Sequence, residues 1–449
     1  MKEKWQRYKE RTSQYDCGII LNNSFLRSQQ LSTTINLDSK LKKYLPAELA
    51  DFMHIIGEIA DKRGFGLFLV GGVVRDLLLG HPNYDIDIVV EGDAIALTRS
   101  LPLQKSKTEV HTSFGTAKYK FGKWAIDLAT ARSEFYETPG ILPAVKPSNI
   151  KTDLLRRDFT INAMAISLNP GNYGELIDPN NGIIDLKRKL IRILHEKSFV
   201  DDATRIWRAI RYEQRLDFEI EKETLRLLKR GLNMLDTISG DRIRHELEIV
   251  LREKEPEKIF RRADELKVIS KIHSNLKGNE DLAEKFEEAR QLGLIDTSLS
   301  MVYFALLIYH LKIEEFEIVS SNLNFNKKLN KLLKETIELE NILPSLDKQD
   351  LLPSEIYFIL FQYSELAIIA NSISINSVTI KRNIDDYLTK LRHIKPRLNG
   401  DDLKRMNIVE GPEIKRILNM LHAARLDGKV NTKQGEIRLV YSWLGKYRK

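Results

Sequence analysis

The hydrophobic pattern of the first part of the chain combines two spacings. Apolar residues recur at helical spacing over residues 45–62, which predicts a helix there. Short apolar or alternating stretches follow, and these predict strands. The strands are expected at residues 67–70, 84–90, 116–119 and 124–129. A glycine pair follows the first strand, and a helix over residues 73–79 is expected to end at Gly80. The pattern therefore indicates a region of mixed helices and strands.

The pattern changes after about residue 185, where strand signals nearly vanish and helical periodicity takes over. The clearest helices are expected at residues 201–215, 221–234, 241–252 and 298–311. Proline is sparse in this part of the chain, so the helices can follow one another closely. The sequence therefore predicts an α+β protein, with a small mixed α/β head followed by an elongated all-α neck, body and tail.

Length, charge and cysteine content extend this picture. The chain has 449 residues, too many for one compact core, so about two to four domains are expected. Its net charge of +8 suits a polyanionic partner such as nucleic acid, although many soluble proteins are mildly basic. The single cysteine, Cys17, excludes a disulfide framework and a cysteine-based zinc site. The charged N-terminus is unlike a signal peptide and no apolar run could span a bilayer, so we expect a cytoplasmic protein without a membrane partner.

The first candidate for chemistry is the glycine pair Gly71-Gly72, between the first strand and the next helix. Glycines let backbone N–H groups approach an anion closely, and the N-terminus of the following helix adds its dipole. Arg75 lies one turn into that helix, where its guanidinium could reach a phosphate. Taken alone, the glycine pair is better explained as a tight strand–helix connection.

Asp85 and Asp87 sharpen this interpretation, because residues i and i+2 of a strand project from the same face. Two carboxylates side by side repel each other unless a cation lies between them. Mg²⁺ takes oxygen ligands and bridges to phosphates, and two such ions can stabilise the attacking and leaving oxygens of an in-line displacement. An isolated pair of this kind is most often a solvated strand face. After a Gly-Gly turn at this spacing, a metal-dependent nucleotide site is the better hypothesis.

These residues resemble the signature of class II nucleotidyltransferases, a family of CCA-adding, CC-adding and A-adding enzymes and bacterial poly(A) polymerases. The resemblance begins with Gly71-Gly72-Val-Val-Arg75-Asp76 and Asp85-Ile-Asp87. It is dense over about residues 45–250 and looser towards the C-terminus. The further matching segments, in the order of the family, are residues 155–165, 177–179, 182–186 and 201–205.

The resemblance implies a polymerase-beta-like nucleotidyltransferase head and an order of segments along the chain. In the head, Asp85 and Asp87 would be the catalytic residues and would hold two Mg²⁺ ions, with Mn²⁺ as an alternative. Gly72, Arg75 and Arg157 would contact the nucleotide. The implied segments are an N-terminal arm (1–40), the catalytic head (41–170), a neck that selects the nucleotide (171–255), a body (256–375) and a tail that binds the tRNA elbow (376–449).

Asp202 and Arg205 carry the prediction of nucleotide choice. Three residues apart, they are expected to be neighbours on one helix. An aspartate oxygen can accept from an exocyclic amino group while an arginine donates to a ring nitrogen, a combination that cytosine and adenine offer and that uracil and guanine reverse. The resemblance makes these two residues the templating pair, with Asp201 where the family has Glu. Arg208 and Arg211 would reach the sugar and phosphates. The alternative is a ladder of salt bridges on a solvated helix.

Three functions remain open at this point. The first is synthesis of the tRNA 3′-terminal CCA, either complete from CTP and ATP or only its terminal A from ATP. Residues 130–136 and 194–199 resemble the A-adding branch, which would need a separate CC-adding enzyme as a partner. The second is a poly(A) polymerase, which shares the same motifs. The third is a non-catalytic RNA-binding protein, against which the intact Asp85 and Asp87 argue.

Several other residues stay undecided from the sequence. Asp127 is either a third acidic group of the site or a structural carboxylate, and Arg132 is equally open. Residues 133–151 lack periodicity and resemble the flexible loop of the family. Near the end, residues 398–403 and Gly411-Pro412 resemble its tail segment. The basic residues that could position RNA through phosphates, although each alone is better explained as solvated, are Arg242, Arg244, Lys327, Lys328 and Lys331.

Overall fold

The computed structural model describes residues 35–101, 109–136, 138, 140 and 143–447. The predicted N-terminal arm lies outside the described residues except for residues 35–40. Within that short piece, Asn36 forms an isolated bridge with Glu175. The predicted boundaries between head, neck, body and tail stay a prediction.

Eleven strands lie in the described part of the chain, and seven of them form one mixed sheet. They are β1 (Gly66–Val70), β2 (Ile86–Glu91), β3 (Glu109–His111), β4 (Thr116–Phe121), β5 (Trp124–Thr130), β6 (Arg132–Phe135), β7 (Ala144–Pro147), β8 (Ala165–Ser167), β9 (Leu176–Ile177), β10 (Leu190–Ile191) and β11 (Glu219–Ile220). The sheet order is β3-β4-β5-β2-β1-β8-β9. Adjacent strands of this sheet are antiparallel, except that β2 and β5 run parallel to each other. β6 and β7 pair separately as a hairpin, and β10 pairs with β11.

Helices surround the sheet and make up most of the chain after it. In the first half they are α1 (Asp38–Tyr44), α2 (Ala47–Asp61), α3 (Gly72–Leu79), α4 (Ala94–Arg99), α5 (Ile150–Leu155), α6 (Gly182–Lys187), α7 (Ser198–Asp201), α8 (Thr204–Leu216), α9 (Lys222–Gly231) and α10 (Gly240–Val250). In the second half they are α11 (Pro256–Glu265), α12 (Glu280–Gln291), α13 (Asp296–Ile308), α14 (Ile313–Leu323), α15 (Lys327–Glu340), α16 (Pro353–Leu360), α17 (Glu365–Ser374), α18 (Val378–Thr389), α19 (Gly400–Arg405), α20 (Pro412–Leu426) and α21 (Lys433–Tyr447). This layout confirms the predicted α+β class.

The two faces of the sheet are covered by different helices. Successive residues of a strand point to opposite faces, so Leu69 packs in the large core with α2, while Val70 packs in a smaller cluster with α5. Val89 of β2 belongs to that smaller cluster. Asp87, two residues earlier, therefore lies on the face that α5 partly covers.

One hydrophobic core runs from the head through the neck into the body. Its members include Leu69 of the sheet, Trp207 of α8, Phe260 of α11 and Phe286 of α12, all fully or almost fully buried. Burial of this continuous apolar surface ties the sheet to the helices that follow it. Two smaller clusters are separate from this core. One is formed by buried side chains between Leu339 and Leu391 together with Leu426, and the other lies among the last helices of the chain.

The structure corrects several sequence-based boundaries. β2 begins at Ile86, so Asp85 precedes the strand instead of lying within it. The helix predicted over residues 201–215 is broken: α7 ends at Asp201, and α8 begins at Thr204. Residues 133–151, expected as an irregular loop, contribute most of the β6–β7 hairpin and the start of α5. The residues between the two strands that are not described are 137, 139, 141 and 142.

Across the described ranges, no individual helix combines the length and the apolar composition that crossing a membrane requires. One sharply bent pair, Pro353–Leu360 with Glu365–Ser374, meets those two criteria together, by length and composition alone.

The packing of α2 on the sheet gives a prediction about stability. A Cβ added at Gly57 would lie 2.0 Å from the carbonyl oxygen of Leu168, so Gly57→Ala should force backbone apart and destabilise the head by about 1–3 kcal/mol. Gly445→Ala is the matched control, because that helical glycine has no atom within 4 Å of the added Cβ. The control should be neutral or stabilising by up to about 1 kcal/mol. Thermal unfolding followed by circular dichroism measures both; equal midpoints for the two variants would contradict the proposed contact.

Candidate active site

The turn after β1 opens the site. Gly71 has φ +79° and ψ −140°, a backbone conformation that L-residues with a side chain rarely adopt. A Cβ at this position would lie 3.4 Å from Nη1 of Arg157 and 3.5 Å from Oδ2 of Asp87. Gly71 therefore keeps open the space between a cationic and an anionic side chain. Gly72 begins α3, one residue earlier than the sequence predicted.

Asp85 and Asp87 lie at the edge of this space. Asp85 is exposed and Asp87 is half-buried. Burial and the neighbouring Asp85 carboxylate raise the pKa of Asp87 to about 6, and Arg157 offsets only part of this shift. Among the side chains that the structure describes, neither carboxylate forms an ion pair within 4.0 Å. Two uncompensated acidic groups at one position favour a bound cation.

The donor set fits Mg²⁺ rather than a metal held entirely by protein. In the described ranges, no group of three or more His, Cys, Asp or Glu side chains is arranged to hold an ion. Mg²⁺ is commonly bound by one or two carboxylates, and substrate phosphates and waters complete its octahedron. Asp85 and Asp87 meet this requirement when a nucleoside triphosphate is present. Mn²⁺ takes the same oxygen ligands.

Asp127 is close to the carboxylate pair in the sheet but is engaged elsewhere. It is the register partner of Asp87 across the parallel strands β2 and β5. Its carboxylate lies 3.4 Å from Nζ of Lys118, its partner on β4. Asp127 also contributes to the raised pKa of Asp87. The residue left undecided from the sequence therefore acts on the charge of Asp87 and is paired with a lysine.

Arg75 is buried and largely committed to its neighbours. Only 2% of it is exposed. Its Nε and Nη2 donate to Asp76 at 2.8 and 3.0 Å, and its Nη1 donates to Oδ1 of Asn162 at 2.7 Å. Three of its five N–H donors are thus engaged, which leaves two for a ligand. The predicted phosphate contact of Arg75 stays a prediction, and its observed contacts fix Asp76 and Asn162.

Asp158 joins the head to the neck. Its Oδ2 accepts from Nε and Nη2 of Arg208 at 2.9 and 2.6 Å, and its Oδ1 accepts from Nδ2 of Asn162 at 3.1 Å. Burial alone would raise the pKa of Asp158, but the charge and hydrogen bonds of Arg208 hold it below its ordinary value. Arg208 is therefore fixed towards the head, in an orientation that a solvated helix face would not give it.

A second buried carboxylate, Asp153 of α5, orients the arginine pair of the head. Its Oδ1 accepts from Nη2 of Arg156 at 2.8 Å, and its Oδ2 accepts from Nη2 of Arg157 at 3.0 Å. Arg156 also donates to Glu134 of the β6–β7 hairpin at 2.9 Å. Glu134 in turn accepts from Arg132 at 3.0 Å. Arg157 thus points to the carboxylate pair, and the hairpin is connected to the same network.

Asp202 and Arg205 meet at the start of α8, but not as neighbours on one helix. Asp202 has an extended backbone and precedes α8. Its Oδ1 accepts from the backbone N–H of Thr204 at 3.0 Å and from Nη2 of Arg242 at 2.7 Å. These contacts fall on one oxygen, so Oδ2 is available to accept from a ligand. Arg242, considered from the sequence as an RNA contact, is instead a brace for Asp202.

Arg205 is held as firmly as its partner. It is 5% exposed; its Nη1 donates to Oγ of Ser198 at 2.6 Å, and its Nη2 donates to the carbonyl oxygen of Arg156 at 2.7 Å. Its guanidinium therefore has a fixed plane, supported from α7 and from the head. Arg211, one turn beyond Arg208, donates to Glu253 at 3.2 Å. Its Nε is buried and has no hydrogen-bond partner among the described residues.

Most of these groups line one open cavity of about 680 Å³ between the head and the neck, while Asp127, Asp153 and Glu253 lie outside its lining. Nine arginines and five carboxylates line it, so the cavity carries a positive excess. The cavity contains every site residue that the sequence predicted, namely Gly72, Arg75, Asp85, Asp87, Arg157, Asp202, Arg205, Arg208 and Arg211. The arrangement suits a ligand with several negative charges and a planar polar group.

Some lining residues were missed or not assigned from the sequence. Glu134, Tyr136 and Tyr212 had no recognised signal, although the pattern Arg132-x-Glu134 could have suggested an ion pair. The ring of Tyr212 lies beneath three guanidinium groups, 4.7 Å from that of Arg211, 5.3 Å from Arg75 and 5.6 Å from Arg208. Cation–π contacts of this kind help to hold like charges together. The contact with Arg75 joins distant parts of the chain, so no local spacing reveals it.

The raised pKa of Asp87 predicts how stability depends on pH. A folded-state pKa of about 6 means that the ionised carboxylate destabilises the metal-free protein above that pH, by on the order of 2 kcal/mol. Asp87→Asn should therefore raise the thermal midpoint at pH 7–8, and the gain should shrink as pH falls through 6 towards 4. Glu58→Gln, an exposed position on α2, is the control and should show no gain. Thermal melts in EDTA across this pH range measure the effect. An Asp87→Asn variant that is less stable than the parent at pH 7–8 would contradict a destabilising Asp87 carboxylate.

Two family models match the chain. Residues 67–192 match the "Poly A polymerase head domain". Residues 217–277 match the "Probable RNA and SrmB- binding site of polymerase A". The first match contains the glycine turn, both carboxylates and Arg157, while the second begins after α8.

Individual relatives extend the similarity over most of the chain. An A-adding tRNA nucleotidyltransferase of Geobacter sulfurreducens is 36% identical over 89% of this chain and 47% of its own length, so the chain spans about half of that relative. An A-adding tRNA nucleotidyltransferase of Halalkalibacterium halodurans is 31% identical over 90% of this chain and 94% of its own length. The solved structure of a Thermotoga maritima CCA-adding enzyme complexed with tRNA(CCA) has a TM-score of 0.72 at 33% identity, covering 91% of this chain and 99% of that one. The chain belongs to the tRNA nucleotidyltransferase family, whose catalytic head is shared with poly(A) polymerase.

Proposed function

We propose that this protein transfers nucleotides to the 3′ end of tRNA and that terminal adenosine addition from ATP is its reaction. The observation that carries the proposal is the single cavity in which Asp85 and Asp87, the arginines and the Asp202–Arg205 pair come together. The names of the two A-adding relatives support terminal A over complete CCA. Complete CCA addition, which would use CTP as well, is the alternative within the same reaction. A cytoplasmic location stays a prediction.

The arginines of the cavity would bind the triphosphate. Arg157 points from Asp153 towards Asp87, and Arg208 and Arg211 line the same space from α8. Guanidinium groups match phosphate oxygens in geometry and charge, and their fixed orientations remove the cost of ordering them on binding. In the reaction, the 3′-hydroxyl oxygen of the RNA forms a bond to the α-phosphorus of ATP, and the bond from that phosphorus to pyrophosphate breaks. The residues of the cavity position both reactants and stabilise the charge of the transition state.

Divalent ions would be held by Asp85 and Asp87, whose oxygens have the chemistry that Mg²⁺ or Mn²⁺ requires. When bound, such ions supply Lewis-acid stabilisation of the phosphoryl oxygens. The space at Gly71 separates Oδ2 of Asp87 from Nη1 of Arg157, because a Cβ there would lie 3.5 and 3.4 Å from these two atoms. An ion pair between Arg157 and Asp87 would compete with a metal, so the engagement of Arg157 with Asp153 keeps Asp87 available.

Base choice would come from Asp202 and Arg205. Adenine offers an amino donor beside a ring-nitrogen acceptor, which Oδ2 of Asp202 and the guanidinium of Arg205 match. Guanine and uracil would place a donor against Arg205 and an acceptor against Asp202. A buried polar group left unpaired discriminates strongly against the wrong base. The fixed orientation of both side chains allows the protein itself to act in place of a nucleic-acid template.

Three RNA substrates test the proposed reaction. The purified chain is incubated with ATP, CTP and Mg²⁺ and with tRNA that ends before CC, tRNA that ends after CC, or an unrelated RNA. Terminal A addition predicts extension of the second substrate by one A and no extension of the other two. Extension of the first substrate by CCA would indicate the complete reaction. Long A tracts on the unrelated RNA would favour a poly(A) polymerase, the candidate that the name of the matching head domain suggests.

Loss of the recognition pair should relax nucleotide choice more than it slows the chemistry. Asp202→Ala and Arg205→Ala are each expected to reduce the preference for ATP over GTP and UTP by about 10²-fold or more, because each removes one of two directional contacts. The measurement is competition between ATP and GTP on tRNA ending in CC. Arg226→Ala, an exposed arginine on α9, is the control and should keep the preference. Unchanged competition in both pair variants would rule out this mode of selection.

A further inference from the structure

A second cavity lies at the junction of the neck and the body and shares no lining residue with the first. It has a volume of about 260 Å³ and lies between α10, α13 and the start of α15. Typical ligand pockets measure about 300–1,000 Å³, so this one suits a single base-sized group rather than a whole nucleoside triphosphate. None of its lining residues is used by the proposed reaction.

The helices that bound this cavity are packed closely against one another. A Cβ at Gly240 would lie 1.6 Å from the carbonyl oxygen of Asn322, so the neck helix α10 and the end of α14 touch backbone to backbone. Arg244 of α10 donates to the carbonyl oxygen of Leu323 at 2.8 Å and also to that of Asn324. The cavity is therefore bounded by elements that are fixed to one another.

The lining combines an apolar interior with unpaired positive charge. Leu251, Phe304 and Leu329 are buried in it, and the ring of Phe304 is fixed edge-on against another ring at 5.3 Å. Arg252 and Lys328 line the same cavity and are exposed. Neither of these two cations has an ion-pair partner within the described ranges.

The remaining polar residues do not cancel that charge. Glu248 also lines the cavity, but its carboxylate lies 3.4 Å from Nε of Arg244. Asn326 caps α15 by accepting from the backbone N–H of Leu329 at 2.9 Å. The cavity thus presents apolar surface next to two cations, which complements a ligand that is flat and apolar on one side and anionic on the other.

We propose that this cavity binds one unstacked nucleotide of the RNA substrate, with the base against the apolar lining and its phosphate between Arg252 and Lys328. Single-stranded or unpaired nucleotides are recognised in this way, by apolar or aromatic contact with the base and cationic contact with the backbone. Three lining residues, Glu248, Leu251 and Arg252, fall within the segment whose family model is described as an RNA-binding site. The inference rests on the proposed function only in taking RNA as the substrate.

The charge half of the site is tested by equilibrium binding of a labelled tRNA that ends in CC, at several salt concentrations. Arg252→Ala and Lys328→Ala should each weaken binding and lower the slope of log K against log salt, and the double variant should lower it by about 0.7–0.9, the value for one lost phosphate contact. Lys62→Ala, an exposed lysine of the head, is the matched control and should leave the slope unchanged. Slopes equal to that of the parent protein in both cavity variants would overturn the proposal.

The apolar half is tested by filling the cavity. Met301→Trp, or Thr297→Phe if the first variant melts early, should weaken tRNA binding about fivefold to a hundredfold with no change in salt slope, because one base contact is lost. Both residues line the cavity, and neither lies in the carboxylate site. Full affinity in a stably folded filled variant contradicts a base in the cavity.

Two further measurements are needed. One distinguishes an RNA nucleotide from a free nucleotide in the cavity, and the other tests this inference apart from the proposed function. If the cavity instead held a free nucleotide, Arg252→Ala would lose one equivalent of bound ATP in a titration without RNA while keeping its tRNA affinity, and that result would overturn the inference. Extension of tRNA by the parent protein tests the proposed function separately. A parent that extends tRNA, with cavity variants that bind it equally well, refutes this inference alone; a parent that extends no RNA refutes the proposed function instead.

Discussion

The buried carboxylate of Asp158 fixes the neck against the head, which carries Asp85 and Asp87. Asp158 belongs to the head, yet its Oδ2 accepts two hydrogen bonds from Arg208 of α8. Removing one partner of such a buried pair costs about 3–5 kcal/mol, because the other charge is left without compensation. A second link, from Arg205 to the carbonyl oxygen of Arg156, repeats the connection a turn earlier. The helix that would select the base is thereby fixed against the strand that would bind metal.

The same arrangement explains how so many like charges share one cavity. Asp153, Asp158, Glu134 and Glu253 each accept from at least one arginine, and Tyr212 lies beneath three guanidinium groups. These partners orient the arginines without neutralising the cavity, which keeps its positive excess. Asp85 and Asp87 stand outside this compensation, because the structure pairs neither with a described cation. A divalent ion would compensate the negative charge of Asp85 and Asp87, and the triphosphate bound with it would compensate the positive charge of the arginines.

Local spacing predicted the elements and the side chains whose chemistry is visible in a short segment. Spacing singled out the glycine turn and the two carboxylates, and the family resemblance added the arginines of α8; all of them line the cavity. The break before α8 was missed because an i, i+3 pair was interpreted as helical. Asp202 instead precedes the helix and accepts from the N–H of Thr204, a turn that an aspartate two residues before a threonine could have suggested.

The β6–β7 hairpin and the side chains that orient the site residues could not be predicted from local spacing. β6 and β7 are four residues each and mostly half-buried or exposed, so they carry no period-2 apolar signal. Glu134 and Arg242 gain their roles from partners 22 and 40 residues away. Such roles depend on how the chain folds over the head, which no single stretch of sequence records. They became visible only when distances between side chains were known.

In the proposed reaction, Asp85 and Asp87 hold divalent cations in a cavity whose arginines bind a nucleoside triphosphate. Anomalous diffraction from crystals grown with Mn²⁺ and a non-hydrolysable ATP analogue would locate both groups. We expect a manganese peak within coordination distance of both carboxylates, with the triphosphate between that peak and Arg157. Manganese bound elsewhere, or a triphosphate seated with no contact to these carboxylates, would contradict it.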